Sequence, residues 1–403
     1  MSSSEKMNQH LRLLQFRDEA EQELKNILSF WKDHAVDHGN GGFFGQINNE
    51  NIVHATAPKG SVLNGRILWT FSAAYIYFKE ESYLEIAKRA YKYITDFFID
   101  HEFGGVYWTT DEKGRPVETK KQVYACAFVL YGLSEYYRAS LDEEALQQAI
   151  KLYYTIVGRT YDREYGGYYE AFSREWNEID DQRLSGKDAN EKKSTNTNLH
   201  VVEAFANLYK VWPDENLKKQ IQGLLRIFLQ HIIDSANHHL RLFFDEQWNN
   251  KPALLSYGHD IEAAWLLPDC AVIIDDKHLI ADLTTSSVHL TNAAMNGLDA
   301  DGGLWYEYDL RENKLIREKH WWPQAEALVG LINAWQLRGE NHYAEAALNC
   351  WQFIKTHLLN PTGEWYWGVN EDGSIMNEDK VGLWKCPYHN SRACLEIIRR
   401  LSF

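Results

Sequence analysis

The segment Ser256–Trp265 places a histidine and a glutamate three residues apart, where a turn glycine leads into an apolar helical pattern. His259 and Glu262 therefore share one helix face near its first turn. Imidazole titrates near neutral pH, which suits proton transfer, and a neighbouring carboxylate can fix its tautomer or raise its pKa. Taken alone, this pair is also typical of a structural histidine at a helix start, so the rest of the chain has to decide between the two interpretations.

A motif of glycines followed by aromatic residues recurs along the whole chain. Copies begin at 41, 104, 166, 240, 302 and 363, with successive spacings of 63, 62, 74, 62 and 61 residues; the copy at 240 lacks glycines. A fixed period of this size indicates a repeat architecture. Each copy is typical of a short hairpin, because glycines permit the turn and alternating aromatics follow it.

Two kinds of helical pattern alternate between these hairpins. Segments near 15–35, 82–100, 142–159, 215–235, 277–297 and 341–358 are amphipathic, whereas segments near 60–78, 121–137, 196–210, 258–274, 321–338 and 387–401 are more apolar on all sides. A helix that is apolar all round is a buried one. The pattern therefore predicts an all-α fold, an (α/α)6 barrel of six outer and six inner helices with short β-hairpins at one mouth. No linker interrupts it, so we expect one domain over residues 1–403.

Polar and aromatic side chains cluster at the starts of the predicted inner helices. They are Asn64 and Arg66; Tyr124; Asn196, His200 and Glu203; His259 and Glu262; His320, Trp321, Trp322 and Glu326; and His389, Asn390 and Arg392. Parallel inner helices would bring all six starts to one mouth, giving a polar, aromatic-walled pocket for a small molecule. The polar stretch from Arg174 to Thr195 accounts for the long spacing, and is typical of either a lid or a plain solvated loop.

Composition narrows the classes of function. A net charge of −15 argues against a nucleic-acid partner, and no apolar run is long enough for a membrane span. The amino-terminal residues lack the apolar core of a signal peptide, and the five cysteines show no C-x-x-C spacing. We therefore expect a cytoplasmic protein with reduced thiols, a monomer or weak homodimer that takes a small-molecule ligand.

Several chemistries fit such a pocket. Motifs for zinc proteases, phosphate-binding loops, dinucleotide binding and serine hydrolases are missing from the sequence. A three-histidine metal site (His200, His259, His389) lacks a close ligand pair, so we expect neither metal nor cofactor. A glycosidase would use two carboxylates from among Asp188, Glu262 and Glu326. Histidines at the mouth favour proton transfer at a weak carbon acid instead, and a binding protein without turnover stays open as a further alternative.

Five motifs together resemble one family. The sequence is similar over essentially its whole length to the N-acylglucosamine 2-epimerase superfamily, and within it to the cellobiose 2-epimerases. The motifs are NGR at 64–66, NTNLHVVE at 196–203, GHDIE at 258–262, HWWPQAE at 320–326 and WKCPYH at 384–389. The resemblance implies an (α/α)6 barrel, in agreement with the period found independently.

The resemblance also implies a reaction: interconversion of reducing-end glucose and mannose in β-1,4-linked disaccharides, without a cofactor. His259 and His389 would exchange protons with C2 on opposite faces through an enediolate, and Glu262 would orient His259. Arg66 and His200 would hold the enediolate oxygen. The implied sugar-binding residues are Tyr124, Asp188, Asn196, Trp322, Trp384, Glu326 and Arg392. An aldose–ketose isomerase or a monosaccharide N-acylglucosamine epimerase would share the same barrel and histidines.

Overall fold

The chain folds as a double ring of helices, described here from a computed structural model over residues 3–252 and 254–402. The outer helices are α1 (Ser3–His34), α3 (Glu81–Tyr93), α5 (Glu143–Thr160), α7 (Glu215–Ile227), α9 (Lys277–Met295) and α11 (Asn341–His357). The inner helices are α2 (Ser61–Phe78), α4 (Val123–Ser140), α6 (Thr195–Tyr209), α8 (Tyr257–Ile273), α10 (Trp321–Arg338) and α12 (Tyr388–Arg400). Short π-helical turns at Ile94–Phe98 and Phe228–Ile232 extend α3 and α7.

The inner helices close into a ring. Each packs against the next in chain order, and α12 returns to contact α2. Their burial explains their composition: the first fourteen residues of α2, from Ser61 to Ala74, are all buried, whereas α3 buries only one stripe. The predicted (α/α)6 barrel is therefore confirmed, and the one visible shift is that α1 begins at Ser3 rather than near residue 15.

The recurring glycine motifs form the predicted turns. A single antiparallel bridge closes each one; the bridges are Val36–Phe43, Ile99–Val106, Tyr161–Tyr168, Ile233–Leu240, Leu298–Leu304 and Leu359–Trp365. In the copy without glycines, His238 adopts the left-handed backbone, with φ of 61°. The hairpin prediction thus holds even where its glycine signal is missing.

Short strands tie neighbouring repeats together at the same mouth. They are β1 (Lys59–Gly60), β2 (Thr109–Thr110), β3 (Lys121–Gln122), β4 (Ala171–Phe172), β5 (Lys193–Ser194), β6 (Phe243–Phe244), β7 (Leu254–Ser256), β8 (Glu307–Asp309), β9 (Lys314–Ile316), β10 (Lys319–His320) and β11 (Gly368–Val369). The antiparallel pairs are β1–β2, β3–β4, β5–β6 and β10–β11, and β7–β8–β9 form a three-stranded sheet. Each pair joins the strand before one inner helix to the hairpin of the next repeat.

Buried lysines fix these strands to the hairpins. A lysine stands two residues before each of α2, α4, α6 and α10, and another, Lys385, precedes α12. Lys193 illustrates the arrangement: it is fully buried, and its Nζ lies 2.7 Å from Asp162 in the hairpin of its own repeat. The related pairs are Lys59–Asp37, Lys121–Asp100, Lys319–Asp299 and Lys385–Glu364. These ion pairs anchor the start of each inner helix, where the polar residues lie.

In the described part of the chain, no helix combines the length and the apolar character that crossing a membrane requires.

Candidate active site

A cavity of about 410 Å³ opens at the mouth where the inner helices begin. Ten of the twelve predicted site residues line it: Arg66, Tyr124, Asp188, Asn196, His200, His259, Glu262, Trp322, Trp384 and His389. The convergence follows from the repeat, because equivalent helix positions face the same axis. Tyr124, Asn196, Trp322 and His389 are each the second residue of their helices, and Arg66, His200, Glu262 and Glu326 are each the sixth.

The two histidines proposed for proton transfer flank one tryptophan. The ring centroid of Trp322 lies 4.8 Å from that of His259 and 5.7 Å from that of His389. Gly258 permits this approach, since a Cβ atom there would lie 2.5 Å from the Trp322 ring. The start of α8 and the start of α10 are thereby held in contact, with both imidazoles on the cavity wall.

Each of these histidines uses Nδ1 for an anchoring hydrogen bond. His389 Nδ1 lies 2.7 Å from Glu326 Oε1, and His259 Nδ1 lies 2.8 Å from Ser256 Oγ. A carboxylate only accepts, so Nδ1 of His389 carries the proton and its Nε2 is the basic nitrogen. Burial lowers the pKa of His259 to about 3, with a smaller effect of the His200 charge. Burial, together with the charges of Arg66 and Arg392, also holds the pKa of His389 well below its usual range. Both rings are therefore neutral, as a base must be.

Glu262 does not orient His259, contrary to expectation. Its Oε1 instead accepts a hydrogen bond from Arg392 Nη2 at 2.6 Å, and the oxygen that holds His259 is the hydroxyl of Ser256. The spacing of three predicts a shared helix face, but a partner from another helix takes the carboxylate. The same spacing in α6 does form the pair, where His200 Nδ1 lies 2.8 Å from Glu203 Oε2.

Arg392 lies behind the cavity wall, where it joins carboxylates from three helices. Its guanidinium donates to Glu203, to Glu262 at 2.6 Å and to Glu326 at 2.7 Å. Glu326 also accepts from Trp265 Nε1 at 3.0 Å. The two terminal nitrogens of Arg392 and the carboxylate of Glu326 thus have protein partners, and the two residues are only 2% and 1% exposed. The predicted direct contact of these two residues with the sugar is replaced by a role in holding His389 and Glu262.

The carboxylates around Arg392 have displaced pKa values. Burial, and then the charge of Glu326, raise the pKa of Glu262 to about 7. For Glu203 burial acts in the same direction, but Arg392 and His200 outweigh it and lower the pKa to about 2. Glu262, Glu326 and His389 are also close enough together to hold a metal ion. However, the guanidinium of Arg392 already occupies the cation position between the two carboxylates.

The long loop between β4 and β5 forms one side of the cavity. Its residues Leu184–Asp188 line the cavity, and Leu184 is buried. The loop is fastened to the preceding repeat, since Arg174 pairs with Asp100 at 3.0 Å and Gln122 donates to the backbone carbonyl of Arg183 at 2.8 Å. A plain solvated loop would lack these contacts, so this segment is a wall of the site.

Several lining residues were not predicted from the sequence. Among them are Lys187, Tyr306, Glu307 and Trp367. Tyr306 stacks on His320 with ring centroids 3.9 Å apart, and His320 Nε2 lies 2.9 Å from Glu318. Tyr306 belongs to the fifth glycine–aromatic motif, so the repeat pattern itself was the signal that could have placed it at the mouth.

Comparisons with known sequences and structures indicate the same family as the five sequence motifs. The profile of the N-acylglucosamine 2-epimerase (GlcNAc 2-epimerase) family matches residues 42–393. A cellobiose 2-epimerase of Bacteroides fragilis is 46% identical over 385 residues, which cover 95% of this chain and 98% of that protein. Two solved structures superpose closely. A sugar epimerase from a ruminal bacterium gives a TM-score of 0.92 at 37% identity, covering 96% of this chain and 99% of that one. The cellobiose 2-epimerase of Bacillus thermoamylovorans B4167 gives 0.91 at 38% identity with the same coverage. The chain, whose described residues form a ring of twelve helices around a histidine-lined cavity, belongs to the N-acylglucosamine 2-epimerase family.

Proposed function

We propose that this protein is a sugar 2-epimerase that interconverts reducing-end glucose and mannose in β-1,4-linked disaccharides such as cellobiose and lactose. The observation that carries this proposal is the pair of neutral histidines on either side of Trp322, each held through Nδ1 with Nε2 left for the substrate. The names of the relatives support the same substrate class.

The reaction begins with opening of the reducing-end ring to the aldehyde, in which C2 is a weak carbon acid. One histidine takes the C2 proton, and the electrons of the broken C–H bond move into an enediolate. The other histidine takes up a proton from water as the enediolate forms, and its imidazolium returns that proton to the opposite face of C2. The first histidine then releases the proton it removed to water, so both rings end neutral. In the direction where His389 is the base, the Glu326 carboxylate at 2.7 Å stabilises the imidazolium that forms. The enediolate anion between the rings raises the pKa of both histidines during the reaction, which opposes the effect of burial.

Arg66 and His200 face this intermediate from α2 and α6. Arg66 lines the cavity and brings a positive charge, and His200 is oriented by Glu203. Preorganised donors aimed at developing charge are commonly the largest single contribution to catalysis. Trp322 and Trp384 offer aromatic faces for sugar rings, and Asp188 and Asn196 offer hydrogen bonds to hydroxyl groups.

The test is incubation with cellobiose in D₂O without added metal, followed by proton NMR. We expect growth of a mannose reducing end that carries deuterium at C2. A fructose-type product would instead indicate an aldose–ketose isomerase, and free glucose would indicate a hydrolase that uses Asp188 and Glu262. Activity should survive a chelator, because the proposed mechanism uses no metal.

Two variants, His259→Asn and His389→Asn, test whether the two histidines carry out the epimerisation. A positioned acid or base contributes about 10²–10⁴-fold, so we expect nearly complete loss of epimerisation in either variant. His101→Asn, at an exposed histidine in a hairpin, is the matched control and should keep full activity. Full turnover in either cavity variant would contradict the two-histidine mechanism.

A further inference from the structure

Arg66 is a buried cation with neutral hydrogen-bond partners. It is 2% exposed, its Nη2 donates to the Tyr124 hydroxyl at 2.7 Å, and its Nη1 lies 3.7 Å from Cys386 Sγ. The faces of the guanidinium pack on Phe128 and Tyr388, with ring centroids 4.1 and 4.9 Å away.

Arg392 is a second buried arginine, and its hydrogen-bond partners include charged groups. It is equally buried, but three carboxylates surround it. It lies behind the cavity wall, whereas Arg66 lines the cavity. A buried charge is costly unless it is paired, so a guanidinium held only by neutral groups keeps its full charge for a ligand in the cavity.

We propose that this cavity binds anionic sugar derivatives, and that the site takes aldonates of β-1,4-linked disaccharides with their C1 carboxylate on Arg66. The thiol of Cys386 and the phenol of Tyr124 form a neutral cradle, which positions Arg66 without cancelling its charge. The placement of the carboxylate at C1 rests on the proposed function, because the enediolate puts its negative charge on the oxygens at C1 and C2. Anion binding at Arg66 rests on the cradle alone.

Other charges that face the cavity do not cancel this site. Glu262 is already paired with Arg392. Asp188 and Glu307 come from the long loop and from β8, which adjoin α6 and α8, whereas Arg66 stands on α2 across the ring. The net charge of −15 disfavours anions only at long range, because at physiological ionic strength the screening length is about 8 Å.

Calorimetric titration with lactobionate and with lactitol tests the proposal. Both are open-chain derivatives of lactose with the same second sugar, and they differ in a carboxylate against a neutral alcohol at C1. We expect lactobionate to bind at least tenfold more tightly, because a hydrogen bond to a charged group is stronger than a neutral one. Arg66→Met should abolish this preference. Arg317→Met, at an exposed arginine 3.5 Å from Glu371, should retain it. Equal binding of the two ligands, or an unchanged preference in Arg66→Met, would overturn the proposal.

Two substitutions of Cys386 test the role of the neutral cradle. Cys386→Ser keeps a neutral acceptor beside Arg66 and should keep the preference, whereas Cys386→Asp supplies a carboxylate that neutralises Arg66 and should remove it. Thermal melts check that both variants fold, which we expect because the new aspartate would pair with Arg66. A Cys386→Asp protein that still prefers lactobionate tenfold would refute the cradle.

The binding assay needs no turnover, so the two proposals fail separately. A preference for lactobionate without epimerisation of cellobiose would support the anion site and refute the proposed function. A protein that epimerises cellobiose but binds both ligands equally loses only the anion site.

Discussion

Replacement of Glu326 by glutamine is the sharpest test of how His389 is made a base. Glu326 Oε1 accepts from His389 Nδ1 at 2.7 Å, and this carboxylate stabilises the imidazolium that appears when His389 takes the C2 proton. Glu326→Gln keeps the shape of the side chain and an oxygen that can accept the same hydrogen bond. It removes the charge, and therefore the extra stabilisation of the protonated ring.

The expected magnitude follows from the strength of that contact. A hydrogen bond to a charged group contributes about 1.5–3 kcal/mol, roughly twice the neutral value. Because Glu326→Gln keeps a neutral hydrogen bond, it loses about half of this contribution, roughly 0.75–1.5 kcal/mol. At about 1.36 kcal/mol per factor of ten in rate, kcat should fall by about 4- to 13-fold. KM should change less, because Glu326 does not line the cavity.

The assay is steady-state epimerisation of cellobiose, with Glu262→Gln as the matched control. Both variants remove one carboxylate from Arg392, at 2.6 Å for Glu262 and 2.7 Å for Glu326, but only Glu326 contacts His389. Glu262 lines the cavity, so its replacement should act mainly on KM. Thermal melts check that the two variants are comparably folded. Equal kcat values for them would refute the role assigned to Glu326.

Three further predictions concern stability. Lys193→Met strands the buried carboxylate of Asp162, so we expect a loss of about 3–5 kcal/mol in the free energy of unfolding measured in urea. Gly167→Ala places a Cβ 2.3 Å from the ring of Trp248 at φ of +78°, and should lower Tm. The pKa of Glu262 is raised to about 7, so the folded state binds this proton more tightly than the unfolded chain does. The contribution of Glu262 to stability therefore decreases as pH rises from about 4.5 to 7, and Glu262→Gln should flatten that part of the Tm–pH curve.

The first two variants have control substitutions in the same chain, and the third is compared with the parent protein. Lys92→Met breaks an exposed ion pair with Asp96 and should cost no more than about 1 kcal/mol. Gly158→Ala meets no atom within 4 Å and lies inside α5, so it should raise Tm. Loss of the same stability in Lys92→Met as in Lys193→Met would contradict the argument from burial. If the Tm–pH curve of Glu262→Gln is as steep as that of the parent protein, the titration of Glu262 does not cause the slope, and that prediction is wrong.

The architecture could be predicted from the sequence because the repeat is periodic in chemistry as well as in length. Glycine turns, amphipathic outer helices and apolar inner helices recur about every 62 residues, and a closed double ring is the natural way to bury six apolar helices. The same period predicted which polar residues meet. Tyr124 and Trp322 occupy the second position of their helices, and Arg66 and His200 occupy the sixth.

The pairing of those residues depended on the tertiary structure. The sequence placed Glu262 on the same helix face as His259, and this is correct, but a shared face does not decide which partner a carboxylate takes. Arg392, 130 residues further along, takes Glu262, and Ser256 takes His259. Hydrogen bonds across the ring join side chains that no local spacing relates, and the helices that lie beside a buried charge decide whether it has a charged partner. The sequence therefore determined where the chemistry gathers, and the packing of the inner helices decided that Arg392 is neutralised while Arg66 keeps its charge.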